Sequence, residues 1–285
     1  MANLKEIRNR IASVSSTMQI TSAMKMVSAA KLKKAQDAIT AMRPYSDTLT
    51  DLLQSLSGSI ESSDASKYAA VRGEDKILLV AITSNRGLCG AFNTNVIKQA
   101  QSLAKGAYAG KAVSVMAVGK KSADILGKDF PLVSNESAIY EDLTFANVSE
   151  IAGRLMEDFA TEKFDKIVLI YNKFKNAATQ IVTTEQFLPI VPVVGAAAES
   201  DYIFEPGKAE IVSELVPKAL KTQLFKGIRD SFASEHGARM TAMHKATDNA
   251  KDLRDQLKLT YNKARQAAIT NEILEIVGGA EALND

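Results

Sequence analysis

Apolar residues near the amino terminus recur at Leu4, Ile7, Ile11, Val14 and Met18, in steps of 3, 4, 3 and 4. That spacing holds one face of a helix against a second helix and predicts a coiled-coil seam. The phase then slips, and Ile20, Met24 and Val27 carry a second stripe. Near the other end Leu253, Leu257, Tyr261, Ala264 and Ala268 step by 4, 4, 3 and 4, and Ile269, Ile273 and Ile276 follow in another phase. Two helices with one apolar stripe each need cover, and each can cover the other. The chain between them must return, so the pair is expected to be antiparallel. Ala23, Ala29, Ala30 and Ala35 on one helix and Ala264, Ala267 and Ala268 on the other permit close approach. The broken phase predicts an irregular, bent pair rather than a long zipper.

Helix breakers follow the same division. Residues 1–43 and 238–277 contain neither glycine nor proline, and Gly278-Gly279 is expected to stop the second run. Forty helical residues span ~60 Å at ~1.5 Å each, so both ends are expected to project from any compact body. The middle of the chain is patterned differently. Lys76–Thr83, Val113–Val118 and Lys166–Tyr171 are short, β-branched apolar runs of the kind buried on both faces of a parallel sheet. Helical patterns over Thr94–Ala107, Lys121–Leu126 and Val148–Thr161 alternate with them, which predicts a small open-sheet α/β domain of Rossmann-like type. Thr179–Thr184 reads as an added edge strand and Tyr202–Glu205 as a last short one. Segments 57–66 and 195–201 read as a link and a loop. The expected division is 1–57 for the first coiled-coil helix, 72–206 for the α/β domain and 208–285 for the second helix.

Composition narrows the function classes. The 285 residues carry 35 Lys+Arg and 33 Asp+Glu, a net charge of +2, which disfavours a strongly basic nucleic-acid binder. Residues 1–43 alone hold eight basic and two acidic residues, 239–268 seven and three, and 269–285 none and four. The helix pair is thus expected to form a basic collar with a more apolar, slightly acidic tip. The single cysteine, Cys89, excludes an intrachain disulfide, and with only two histidines the usual zinc sites cannot be built. No apolar stretch is long enough for a membrane span, and the first residues lack the pattern of a signal peptide.

Candidate chemistry is thin. Thr83–Gly90 joins a strand to a helix, but Gly87-x-x-Gly90 is only a fragment of the dinucleotide fingerprint, and a structural turn is the better reading. Gly119-Lys120-Lys121-Ser122 fails as a P-loop. Ser114 stands where the first glycine belongs, and Lys121 separates the Gly-Lys pair from Ser122. Cys89 has no histidine near it in sequence and reads as a packed thiol. His236 and His244 lie eight apart, not at the i,i+4 spacing of a metal pair. Met24 and Met26 could fill the seam or, with Lys25, Lys31, Lys33 and Lys34, face a partner; spacing leaves both open. No nucleophile–base–orienter set is present. A mechanical or assembly protein is therefore favoured over a nucleotide-binding α/β enzyme with helical arms, or a structural coiled-coil protein that binds nucleic acid through its basic helix.

The two ends carry a resemblance. Residues 1–36 (MANLKEIRNRIASVSSTMQITSAMKMVSAAKLKKAQ) and 235–283, with I-T-x-E-x-x-E-x-x-x-G-A at Ile269–Ala280, resemble the termini of the gamma subunit of rotary F-type ATP synthases. SNRGLCGAFNTN at Ser84–Asn95 and DYIFEP at Asp201–Pro206 are similar too, with Asn85 in place of the usual Asp and Ala91 where Gly is frequent. The resemblance implies a non-catalytic central rotor, without cofactor. Its coiled coil would enter a hexamer of alpha and beta subunits, and its α/β domain would sit on the c-subunit ring beside the epsilon subunit. It implies a peripheral location at the cytoplasmic face of the bacterial inner membrane. It further implies hexamer contacts at Met24, Lys25, Arg265, Gln266, Thr270, Glu272, Ile273, Ile276 and Val277, and contacts with the ring or epsilon at Phe204 and Glu205.

Overall fold

The computed structural model describes residues 4–55, 65–190, 205 and 207–281. Two compact units emerge, one formed by Met1–Ser28 with Met240–Asp285, the other by Ala29–Arg239. Helices α1 (Leu4–Ser55) and α6 (Lys208–Glu281) contribute to both.

In the first unit the two helices pair antiparallel. Arg8 Nη2 donates to the Tyr261 hydroxyl at 2.8 Å, Arg254 Nη1 reaches Met18 Sδ at 3.6 Å, and the Thr247 and Thr21 hydroxyls bond at 2.8 Å. Partners rise along one helix as they fall along the other. Leu4, Ile7, Ile11, Val14 and Met18 form the covered seam as expected. Beyond Met18 the structure departs from expectation. Ile20 and Val27 are 60% and 58% exposed, so the second stripe lies outside. The seam keeps its 3–4 spacing through Thr21, Lys25 and Ser28, with Thr21 and Ser28 buried. Their hydroxyls are satisfied on the helix itself, Thr21 at the Met18 carbonyl and Ser28 at that of Met24, and this lets polar residues occupy a covered line at little cost. On α6 the covered line is Met243, Thr247, Ala250, Arg254, Leu257, Tyr261 and Ala264. Leu253 is exposed and Arg254 takes its place, because strict 3–4 spacing from Met243 selects position 254 whatever its polarity. Ala268 is also exposed. α6 does not stop at Gly278-Gly279 but runs on to Glu281.

The second unit is built on a five-stranded sheet: β1 (Lys76–Ile82), β2 (Ala112–Val118), β3 (Leu132–Asn135), β4 (Lys166–Phe174) and β5 (Gln180–Leu188). The order is β3-β2-β1-β4-β5, parallel except for β5, which pairs antiparallel with β4 at the edge. β3 was not expected: four residues with half-exposed side chains give almost no pattern. Along β1 alternate residues enter opposite cores. Ile77, Leu79 and Ala81 meet Val96, Ile97, Ala100 and Ala104 of α3 (Phe92–Lys105) and Leu126 of α4 (Lys120–Asp129). Leu78, Val80 and Ile82 meet α5 (Phe145–Ala160) and the first part of α6. There Val212, Val216, Leu220, Leu224 and Ile228 recur every fourth residue, so one stripe of α6 is part of the domain's own core. A four-residue helix, α2 (Ser66–Ala69), precedes the sheet. The proposed link at 57–66 and the loop at 195–201 lie almost wholly outside the described residues, as do Tyr202, Ile203 and Phe204. Glu205 stands in a bend, not a strand.

Candidate functional site

The strand order changes direction between β1 and β4, and the crevice beyond their carboxyl ends is where open α/β sheets take ligands. Here the chain fills that place itself. The Ser84 amide donates to Asn93 Oδ1 at 2.9 Å, and the Ser84 hydroxyl donates to the Arg86 carbonyl. Asn85 donates to the Ser137 carbonyl at 2.8 Å and accepts the Lys120 amide at 3.0 Å. The Tyr140 hydroxyl donates to the Thr83 carbonyl at 2.8 Å. At the start of α4, the Lys121 amide goes to the Ser84 carbonyl and the Ser122 amide to Thr83 Oγ1. The amides at the start of α4 are therefore spent on the neighbouring loop rather than presented to a phosphate. Gly119 has φ +119°, and a Cβ there would overlap the Thr83 carbonyl, so only glycine lets β2 turn into α4 this close to β1. Gly119 is thus structural, and Gly90 takes the left-handed backbone of a turn at φ +59°.

Cys89 is buried, with Asn93 Nδ2 at 3.2 Å and Ser84 Oγ at 3.8 Å from its sulfur. Burial pushes its thiol above the ordinary range, opposite to what a nucleophile requires. His244 is exposed and pairs with Asp248 at 3.2 Å. His236 is buried against Phe232, ring centroids 4.5 Å apart, with neither ring nitrogen bonded, and burial drives it down to about 4. Among the described residues no cluster of His, Cys, Asp and Glu could hold a metal ion.

Across this carboxyl edge lies α6, and here sequence reasoning missed a constellation. Gly227 rests on Tyr171 and Ile82, and Gly237 rests on Ala177, whose carbonyl would stand 3.1 Å from a Cβ. Phe232 stacks on Tyr140 with centroids 6.1 Å apart. Arg239 Nη1 binds Glu235 Oε1 at 2.6 Å, while Nε and Nη2 reach the Gly87 carbonyl and Nη2 that of Arg86, each at 3.3 Å. The two side chains are 9% and 10% exposed. Burial raises the Glu235 pKa, and Arg239 opposes that rise. The only sequence signal was an i,i+4 Glu–Arg pair among small residues.

The residues implicated as contacts fall into separate groups. Met24 and Lys25 are half-buried on α1, Lys25 within the covered line. Arg265, Gln266, Thr270, Glu272, Ile273, Ile276 and Val277 are all exposed on α6, and so is every residue from Arg265 to Gly279. The Thr21–Thr247 bond fixes the level of Met24, so Arg265 lies roughly 30 Å further along the pair at ~1.5 Å per residue. The two groups form two levels of one helix pair, not one patch. Glu205 is exposed in the other unit, and Phe204 lies outside the described residues.

The chain matches the family model described as ATP synthase over residues 3–283. It is 69% identical to the ATP synthase gamma chain of Flavobacterium johnsoniae over 286 residues, covering 100% of both, and 44% identical to that of a Geobacter species over 288 residues, covering 99% of both. Its fold is similar to a chain of the Tetrahymena thermophila mitochondrial ATP synthase central stalk and c-ring (TM-score 0.60, 26% identity, 80% of this chain and 99% of that one). A chain of the Euglena gracilis mitochondrial enzyme aligns at TM-score 0.71 and 23% identity, over 98% of this chain and 94% of that one.

Proposed function

The chain belongs to the gamma-chain family of ATP synthases, and from that membership we infer how its parts serve rotation. It is the non-catalytic central stalk, coupling the turning of the membrane ring to the nucleotide sites of the alpha/beta hexamer. The observation that carries the assignment of its contacts is the bare end of α6. From Arg265 to Gly279 every residue is exposed, including Ile269, Ile273, Leu274, Ile276 and Val277. A helix that shows so much aliphatic surface in isolation is built to be covered by another chain. We assign that cover to the hexamer. Apolar contacts there are non-directional and suit a bearing. Exposed polar groups such as Arg265, Gln266, Thr270 and Glu272 add contacts of ~0–1 kcal/mol each, weak enough to break at every step. An asymmetric axle in a three-fold collar favours a different state of each catalytic subunit, and it shifts nucleotide affinity only by that difference. Met24 and Lys25 supply a second contact level. Glu205, with Phe204, belongs to the foot, next to the ring and the epsilon subunit. In this division 1–57 and 208–285 are the two long helices, the first part of the second being shared with the α/β domain's core, and 72–206 is the α/β domain that carries the foot.

Among the described residues no helix is long and apolar enough to cross a membrane. Attachment is peripheral, through the complex; we place it at the cytoplasmic face of the bacterial inner membrane, in line with the bacterial relatives.

The test is reconstitution. The chain should co-purify with both hexamer subunits, and Lys25→Glu should lower proton transport per ATP hydrolysed more than Lys98→Glu on α3. Lys98 is the reference because it is exposed on the α/β domain, away from the helix pair. Equal effects would refute the contact assignment.

A further inference from the structure

We propose that Arg239 is a positioning residue of the rotor: its guanidinium, seated on the Arg86 and Gly87 carbonyls and held by Glu235, is a charged joint by which the α/β unit grips α6 at its far end, and the Thr83–Gly90 loop is its receptor. The proposal rests on the rotor reading above.

The loop's polarity is the first argument. A strand-to-helix loop that takes a phosphate turns amides toward the ligand. Here the Ser84 amide is bonded to Asn93, and two consecutive carbonyl oxygens, those of Arg86 and Gly87, face α6. Carbonyls at such an edge receive a cation. The cation is a guanidinium whose three nitrogens are divided between these oxygens and the Glu235 carboxylate. A planar fork can serve all three acceptors at once, which the point charge of lysine cannot.

The second argument is directional. Elsewhere α6 meets the domain mainly through apolar stripes and through Gly227 and Gly237, with Gln223 donating to Glu185 and the Gln186 carbonyl and Arg229 to the Leu143 carbonyl. Apolar packing resists separation but has little preference for angle. Charge-assisted hydrogen bonds do have one. Turning α6 by one residue, ~100° about its axis, would carry the guanidinium off both carbonyls. The receptor is braced from behind by Asn85 on Ser137 and Lys120 and by Tyr140 on Thr83. Arg239 is also the last residue of the α/β unit, the unit boundary falling between it and Met240. A grip against twist is thus placed where α6 passes from one unit to the next.

The experiment uses the intact complex in proteoliposomes, with proton transport per ATP hydrolysed and thermal unfolding measured together. The double variant Glu235→Gln with Arg239→Gln removes both charges and strands neither. It should assemble, unfold at the wild-type temperature and hydrolyse ATP, with transport per ATP reduced roughly tenfold. Arg239→Ala should lose transport likewise and regain part of it in about 20 mM guanidinium chloride, far below the denaturing range, but not in equal sodium chloride. Wild-type transport per ATP in the double variant overturns the proposal. So does a folded Arg239→Ala complex that guanidinium does not rescue. If Arg239→Ala fails to assemble, the double variant decides alone. A wild-type chain that does not assemble with the hexamer would strike the rotor reading itself, which separates the two failures.

Discussion

Replacing His236 should change how the protein responds to acid, by an amount the structure specifies. The ring is buried beside Phe232, neither nitrogen has a partner, and Arg239 and Lys31 add unfavourable positive charge. Its pKa falls from 6.5 to about 4, with burial the main cause. The sign follows directly. Between these values the unfolded chain takes up a proton that the folded chain refuses, so stability is lost as pH falls from 6.5 toward 4. At pH 5 the unfolded imidazole is charged about 30 to 1, while the folded one is about 10 to 1 neutral, and the difference costs about 2 kcal/mol. Glu235, raised by burial, works in the opposite sense, favouring the folded state at low pH and losing that advantage as pH rises through its folded value. The two are separated by comparison with His236→Gln, which cannot titrate there. Urea unfolding of both proteins at pH 7 and pH 5 should show the wild type losing about 2 kcal/mol more than the variant. Equal losses, or a His236 resonance titrating near 6.5, would refute the account of the ring as buried and unpaired.

Two further outcomes test the division of labour. Deleting 269–285 should leave the unfolding temperature of the chain nearly unchanged, because residues 269–279 bury no side chain, while coupling in the complex should drop; a large loss of thermal stability would show that the tip packs on the chain itself. Gly119→Ala should cost more than ~3 kcal/mol in urea unfolding, since φ +119° and overlap with the Thr83 carbonyl act together, and a cost under ~1 kcal/mol would mean that the β2–α4 turn is not this tight.

The sheet strands and the first half of the coiled-coil seam were legible because burial there coincides with hydropathy. Within β1, β2 and β4, Ile77–Ile82, Val115–Val118 and Ile167–Tyr171 are continuous apolar runs, and Ile7 and Ile11 stand where hydropathy places them. Legibility failed where geometry overrules hydropathy. Leu253 attracts any scan for apolar residues, yet Arg254 holds the seam position because its long stem covers apolar surface while its charged head reaches Asp255 and Met18. β3 takes its place by pairing with β2, which no pattern within four residues can announce. Arg239 joins residues 152 and 153 positions away, so its role exists only in three dimensions. The resemblance of the termini carried the partner assignments, which no single-chain pattern supplies.

Hydropathy and burial disagree in one consistent way along the helix pair, and the disagreement bears on function. Around residues 18–28 the seam is polar, with Thr21, Lys25 and Ser28 on the inside, while Ile20, Met26 and Val27 face out at 60%, 65% and 58% exposure. From Arg265 to Gly279 α6 keeps its aliphatics, all of them exposed. A pair optimised only for its own stability would do the reverse, burying the isoleucines and exposing the hydroxyls. What holds the polar layer together is modest: the Thr21–Thr247 bond contributes about 1 kcal/mol. The apolar side chains withheld from the seam are therefore available to a surrounding collar. That arrangement favours an axle whose outer contacts are made and broken in turn over a rod stiffened for its own sake.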